Sequence, residues 1–202
     1  ACSSNHSNNS RESAINIDLV EHPAVHIAAP PFHCADCLMP RKPVPKQKRF
    51  WLFKSEPDVF SIDDLASAEE QTTYWAGVRN YQARNMLRDD MHVGDSVLFY
   101  HSNADPTAIV GAAKVVRDGY PDFTAWDRHD SYYDPKSSPE SPRWFMVDIQ
   151  FVEKFPRPLT LQFLRTMEEL KDMVLLRKGS RLSVQPVTAE EYATIVRVAR
   201  RS

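Results

Sequence analysis

Glycine is scarce in this chain, five in 202 residues, and none of the five falls in the first 48. Aromatic residues are nearly missing from the same stretch, where Phe32 stands alone. A segment with so little large apolar surface cannot bury enough to offset its ordering entropy, so residues 1–48 read as a disordered or loosely attached leader and residues 49–202 as a folded domain. Cysteine is absent from that domain, since Cys2, Cys34 and Cys37 all precede it. A Cys/His nucleophile pair within the domain is thereby excluded. His33-Cys34-Ala35-Asp36-Cys37 has the spacing of half a zinc site, but no second half follows it and no metal is expected. Long apolar runs are missing too: Val97–Tyr100 and Ala108–Ala113 fall far short of the roughly 20 residues that span a membrane. Ile15–Phe32 is interrupted by Asp18, Glu21, His22 and His26, so it does not read as a secretory signal. An excess of one charge is lacking as well, with 25 Lys+Arg against 27 Asp+Glu. That balance argues against a protein that coats nucleic acid through bulk positive charge, and any such contact must be local.

Signatures of catalysis are also wanting. There is no phosphate loop, dinucleotide fingerprint, nucleophile elbow or HExxH pair. The domain holds only His92, His101 and His129. A set such as Ser55, His101 and Asp95 can be written down, but a domain of this size offers many such combinations.

What is present is a succession of strand and helix signals. Phe50–Lys54 is an aromatic-rich run closed by Ser55-Glu56-Pro57 and reads as a central buried strand. Ser61-Ile62-Asp63-Asp64 has the capping-box pattern of a short helix, and Asn80–Asp89 has an Asn cap followed by good helix formers. Ser96–His101 and Ala108–Val116 form a hairpin, and Arg143–Phe155 alternates as a long half-buried strand. Thr160–Leu170 and Thr188–Val198 read as amphipathic helices. Tyr120–Pro142 has no period and reads as an ordered functional loop. Its aromatics Tyr120, Trp126, Tyr132 and Tyr133 are candidates for a pocket wall. Arg177, Lys178 and Arg181, and the run Arg41–Arg49, are basic clusters that suit either phosphate contact or plain solvation.

The most informative segment is Tyr74–Asn85. It sets the Trp75 indole beside Gly77 and the polar groups Arg79, Asn80 and Gln82 at the start of a helix, which is the chemistry that an unpaired nucleobase needs. A tryptophan is nevertheless more often core than platform.

Motifs in one order, Trp51–Pro57, Trp75-x-Gly77–Asn85, Gly94-Asp95 with Phe99–Asn103, Tyr133–Pro135, Trp144-x-Met146–Asp148 and Arg181–Pro186, resemble the EVE domain family of the PUA-like superfamily. The resemblance implies an α+β fold: a PUA-like curved, mainly antiparallel β-barrel with flanking helices, akin to the YTH domains. It implies a non-catalytic reader of modified nucleobases in DNA or RNA that accepts a flipped or single-stranded base, with no cofactor and no membrane. A monomer is expected, cytoplasmic in a bacterium and nuclear in a eukaryote. Carried over by position, Lys54 and Ser55 end the first strand, Trp75 takes the aromatic position, and Val78, Arg79 and Asn80 stand beside it. His101, Ser102 and Asn103 close the next strand at the same mouth, with Tyr120 and Tyr133 as a second wall. Ala76 departs from the Asp expected there. Two other readings stay open: an enzyme using His101 as base in the same pocket, and a protein-interaction module built on the long loop.

Overall fold

The structure, a computed structural model, describes residues 47–201. The expected leader, including Cys34, Cys37 and most of the Arg41–Arg49 run, lies outside the described residues except for its last two positions.

Six strands, β1 (Phe50–Ser55), β2 (Thr72–Trp75), β3 (Ser96–His101), β4 (Ala108–Pro121), β5 (Phe145–Thr160) and β6 (Val184–Val187), form one sheet in the order β2-β5-β4-β3-β1-β6. Every neighbouring pair is antiparallel except β1 and β3, which run parallel with Phe53 opposite Phe99. Thus the sheet is mixed and open, not a closed barrel, and β1 lies one place in from the edge rather than at the centre. It is still strongly curled. Flat strands four places apart would stand about 19 Å from each other. The rings of Trp75 on β2 and Phe53 on β1 have their centroids 4.9 Å apart.

Alternation along the strands builds a core on each face. Trp51 and Phe53 of β1, with Val97 and Phe99 of β3, point into one cluster, while Leu52, Leu98 and Tyr100 point into the other. Both faces of β1 and β3 are therefore buried, which is why their sequences are continuously apolar instead of alternating. Helix α1 (Ile62–Ser67) and helix α2 (Tyr81–Asn85) contribute Ile62, Leu65 and Ala83 to the concave cluster. Helix α3 (Leu161–Leu164) and helix α4 (Ala189–Arg200) cover the convex one with Leu164, Ile195 and Ala199.

The caps act as the sequence indicates. Ser61 and Thr188 each form a reciprocal capping box, with Asp64 and Glu191, and the Asn80 side chain accepts from Gln82 N and Ala83 N. One expected helix is broken: Thr160–Leu170 becomes the single turn α3 followed by a separate 3-10 turn at Glu168–Leu170. The Thr166 hydroxyl donates to Phe163 O at 2.7 Å, a local bond that competes with helix continuation.

Candidate functional site

The two edge strands, β2 and β6, do not pair, and the seam they leave opens onto a cavity of about 840 Å³. Its walls come from both sides of that seam. Thr73, Tyr74, Trp75, Ala76, Gly77 and Val78 line it from β2 onward; Lys54 and Ser55, at the end of β1, and Arg181 and Ser183, just before β6, line it from the opposite side. The turn after β1 adds Val59 and Phe60, and the long loop adds the ring of Tyr132.

Trp75 is 9% exposed and serves two purposes. Its ring packs against Phe53 and, edge-on at 5.6 Å, against Phe99, so most of the indole belongs to the core and only a margin faces the cavity. Gly77 follows with φ +78°, and the Tyr132 ring lies 2.6 Å from where a Cβ would sit. Both the backbone conformation and the close ring require glycine at this position.

Arg79 holds the Tyr132 loop from beneath. Its guanidinium pairs with the Asp122 carboxylate at 2.7 Å, donates to Tyr132 O at 2.9 Å and lies near the faces of Tyr132 and Trp144. Asp122 also accepts from Gly77 N, Thr124 N and Thr124 Oγ1. Burial would push that carboxyl up, but the bonds from Arg79, Thr124 and Gly77 outweigh burial and hold it below the usual carboxylate range. This network, not direct exposure to the cavity, is what Arg79 contributes.

The other expected residues divide between the cavity and its support. Lys54, Ser55, Val78 and Ser102 line the cavity with Trp75. The Ser55 hydroxyl donates to Phe60 O at 2.6 Å, which leaves its lone pairs as acceptors. Ser102 donates to Ser55 O through both its amide and its hydroxyl. The side-chain oxygen of Asn80 caps α2, and Asn80 does not line the cavity. His101 points at helix α1: its Nε2 accepts from Ile62 N at 3.2 Å, and burial lowers its pKa. Asn103 donates to Glu56 at 3.3 Å and does not line the cavity. Tyr120 and Tyr133 are not in this wall. The Tyr120 hydroxyl donates to Asp148 on the far side of β2, where it lines a second depression with Arg117 and Phe123. Tyr133 sits in a turn with its amide on Asp130 O. Tyr132 takes the place expected for them; the one signal that could have singled it out is its partnership with Gly77. Asp122, Val59 and Phe60 carried no local motif that separated them from ordinary loop residues, whereas Arg181 stood out in the sequence as part of a basic cluster.

Among the described residues no group of acids, histidines or cysteines is placed to hold a metal ion, and no helix is long and apolar enough to cross a membrane.

Comparison with known proteins agrees with this architecture. The family model of the EVE domain matches residues 49–198. Thymocyte nuclear protein 1 of Rattus norvegicus is 44% identical over 164 residues, which cover 73% of this chain and 72% of the rat protein. The Homo sapiens protein is 43% identical over 159 residues, 70% of each chain. A hypothetical protein from Leishmania major has a similar structure, with a TM-score of 0.72 at 50% identity over 76% of this chain and 96% of its own. The human THYN1 protein in complex with 5-methylcytosine containing DNA gives a TM-score of 0.72 at 41% identity, covering 77% of this chain and 99% of its own. With three quarters of its length matched to the family model and relatives above 40% identity, this chain belongs to the EVE domain family.

Proposed function

We propose that this chain is a non-catalytic reader of modified nucleobases, which accepts a flipped or single-stranded base in the cavity of the β2–β6 seam. The observation that carries this reading is the cavity itself: an opening of ligand size, walled by Tyr132, Phe60 and the margin of Trp75, and bordered by an edge strand. Aromatic walls supply stacking for a base plane. The outer side of β2 has no ladder partner, so its main-chain groups are available to a base edge, and Ser55 supplies an acceptor suited to an exocyclic amine. Val59, Phe60 and Val78 give a methyl substituent an apolar surface. The crystallised complex of the human relative with 5-methylcytosine containing DNA supports 5-methylcytosine as the first base to test.

The placement of His101 weighs against the enzyme reading. Its Nε2 lone pair is occupied by the Ile62 amide and its ring does not line the cavity, so it is poorly placed as a base toward a bound ligand. The nuclear designation of the rat and human relatives supports a nuclear place of action. Titration of the chain with a panel of modified and unmodified nucleosides and single-stranded oligonucleotides tests the proposal. Selective binding of one modified base without turnover is expected; equal binding of all bases, or conversion of any of them, would overturn it.

A further inference from the structure

The residues around Arg181 are held far more firmly than a solvent-exposed turn requires. Gln185, fully buried on β6, donates its carboxamide both to Ser180 Oγ at 2.8 Å and to Leu182 O at 2.9 Å, so it grips the chain on either side of Arg181. Lys54 grips it from β1: its ammonium donates to Ser180 O at 3.0 Å and its amide to Ser183 O at 2.8 Å. Four hydrogen bonds therefore fix residues 180, 182 and 183, whereas the Arg181 side chain between them is exposed and lines the cavity mouth. Arg177 and Lys178 precede it in the same turn. Lys54, half-buried and committed to a carbonyl, is a tether that adds positive charge rather than a free ligand.

Charge is unevenly distributed about the cavity. Arg177, Lys178 and Arg181 gather on one side, where Glu56 is the acid of the cavity wall, while the second depression beside β2 carries Glu69, Glu70 and Asp148 against Arg117 alone. A polyanion is favoured on the side of Arg177, Lys178 and Arg181 over the side of the acidic depression. We infer that the Arg177–Ser183 turn, pinned by Gln185 and Lys54, is a phosphate-binding element: Arg181 contacts the backbone phosphate next to the base held in the cavity. The inference rests on the base-reading proposal and deepens it, because it fixes the side from which the strand enters. The hydrogen bonds fix the backbone from which Arg181 projects, and its planar guanidinium fork forms charge-assisted, bidentate bonds to a phosphate, which a surface lysine does less well. Gln185 is a positioning residue here, since it acts only through the turn.

The test uses the full chain with three probes at several salt concentrations: a single-stranded oligonucleotide carrying one 5-methylcytosine, the free nucleoside 5-methyldeoxycytidine, and inorganic phosphate. Arg181→Gln is expected to weaken the oligonucleotide about tenfold and to flatten its salt slope by about 0.7, the share of one phosphate contact on a single strand. Because Arg181 stands at the cavity mouth, nucleoside binding should weaken far less than oligonucleotide binding. Gln185→Leu should weaken the oligonucleotide in the same selective way, and inorganic phosphate should compete with the oligonucleotide but not with the nucleoside. If Arg181→Gln leaves oligonucleotide affinity and salt slope intact, or weakens nucleoside and oligonucleotide equally, the phosphate site is wrong. If the wild type ignores the nucleoside while Arg181→Gln still weakens the oligonucleotide, the phosphate site stands and the base-reading proposal falls. A wild type that binds neither overturns both.

Discussion

The ring of Tyr132 occupies the space that a side chain at Gly77 would fill, with its nearest carbon 2.6 Å from an ideal Cβ. Two segments far apart in sequence are thus fitted to each other at the cavity wall. Gly77→Ala should cost about 1–2 kcal/mol for the left-handed backbone alone, and the displaced ring should add to that. Tyr132→Ala in the same chain removes the clash, so the double variant should be less destabilised than the sum of the two single ones. Urea unfolding of all four proteins checks this, and strict additivity would show that the two residues do not meet as described.

Trp75 and Tyr132 both line the cavity, but their substitution should have opposite consequences. Trp75 is packed against Phe53 and Phe99, so Trp75→Ala should cost about 3–5 kcal/mol of stability, the usual range for an aromatic core truncation. Tyr132 is less enclosed, and Tyr132→Ala should leave a folded chain whose affinity for a stacked base is reduced roughly ten- to a hundredfold, as the loss of one stacking partner implies. Thermal melts paired with oligonucleotide titrations separate the two effects. A stable Trp75→Ala protein with lost binding would restore the indole as the principal platform.

The contrast between these two residues shows how far the sequence alone could be read. Strands β1 and β3 were legible because burial on both faces leaves an uninterrupted apolar run, and α1 and α4 because each starts with a capping box. The four-residue strand β2 was not, since its order comes from pairing Thr73 with Ile149 rather than from any local pattern. Nor could local signals show that β1 and β3 run parallel or that the sheet stays open. The site was legible as a neighbourhood and not as a set of contacts. Arg79, Asn80 and His101 lie beside the cavity in sequence, yet the Arg79 guanidinium is held by Asp122, the Asn80 side-chain oxygen by a helix cap and His101 Nε2 by the Ile62 amide. Which of two adjacent tyrosines enters the wall depended on a glycine more than fifty residues earlier.

His101 should make the fold sensitive to mild acid. Burial lowers its pKa most, with Lys154 acting in the same direction and Asp63 and Asp64 opposing it. A histidine whose folded pKa lies below its unfolded value of about 6.5 binds a proton more readily in the unfolded chain, so stability should fall as pH drops below that point. Protonation would also place an N–H against the Ile62 amide that Nε2 now accepts from. His101→Gln retains an acceptor but cannot titrate. Unfolding curves from pH 7.5 to about 5 should converge at the low end as the wild type loses its advantage; parallel curves would mean that His101 is not the sensor.

The Arg79–Asp122 pair should govern the Tyr132 wall at lower pH. Asp122 has no exposed side-chain surface and Arg79 retains 23%, so Asp122→Asn leaves a largely buried guanidinium without its counter-charge. The cost should be about 3 kcal/mol, the low end for a broken buried pair because Arg79 retains some contact with water. Protonation of Asp122 has the same effect without a substitution. Its folded pKa is depressed, so the stabilisation is fully present above the unfolded value of about 3.9 and disappears as pH falls from there through the folded value. Asp122→Asn should therefore begin less stable and lose less in that window than the wild type. Because Arg79 also donates to Tyr132 O, hydrogen exchange at the amides around Tyr132 should quicken in Asp122→Asn before global unfolding does. Equal acid sensitivity of the two proteins, together with unchanged exchange around Tyr132, would show that the pair does not hold the loop against the cavity.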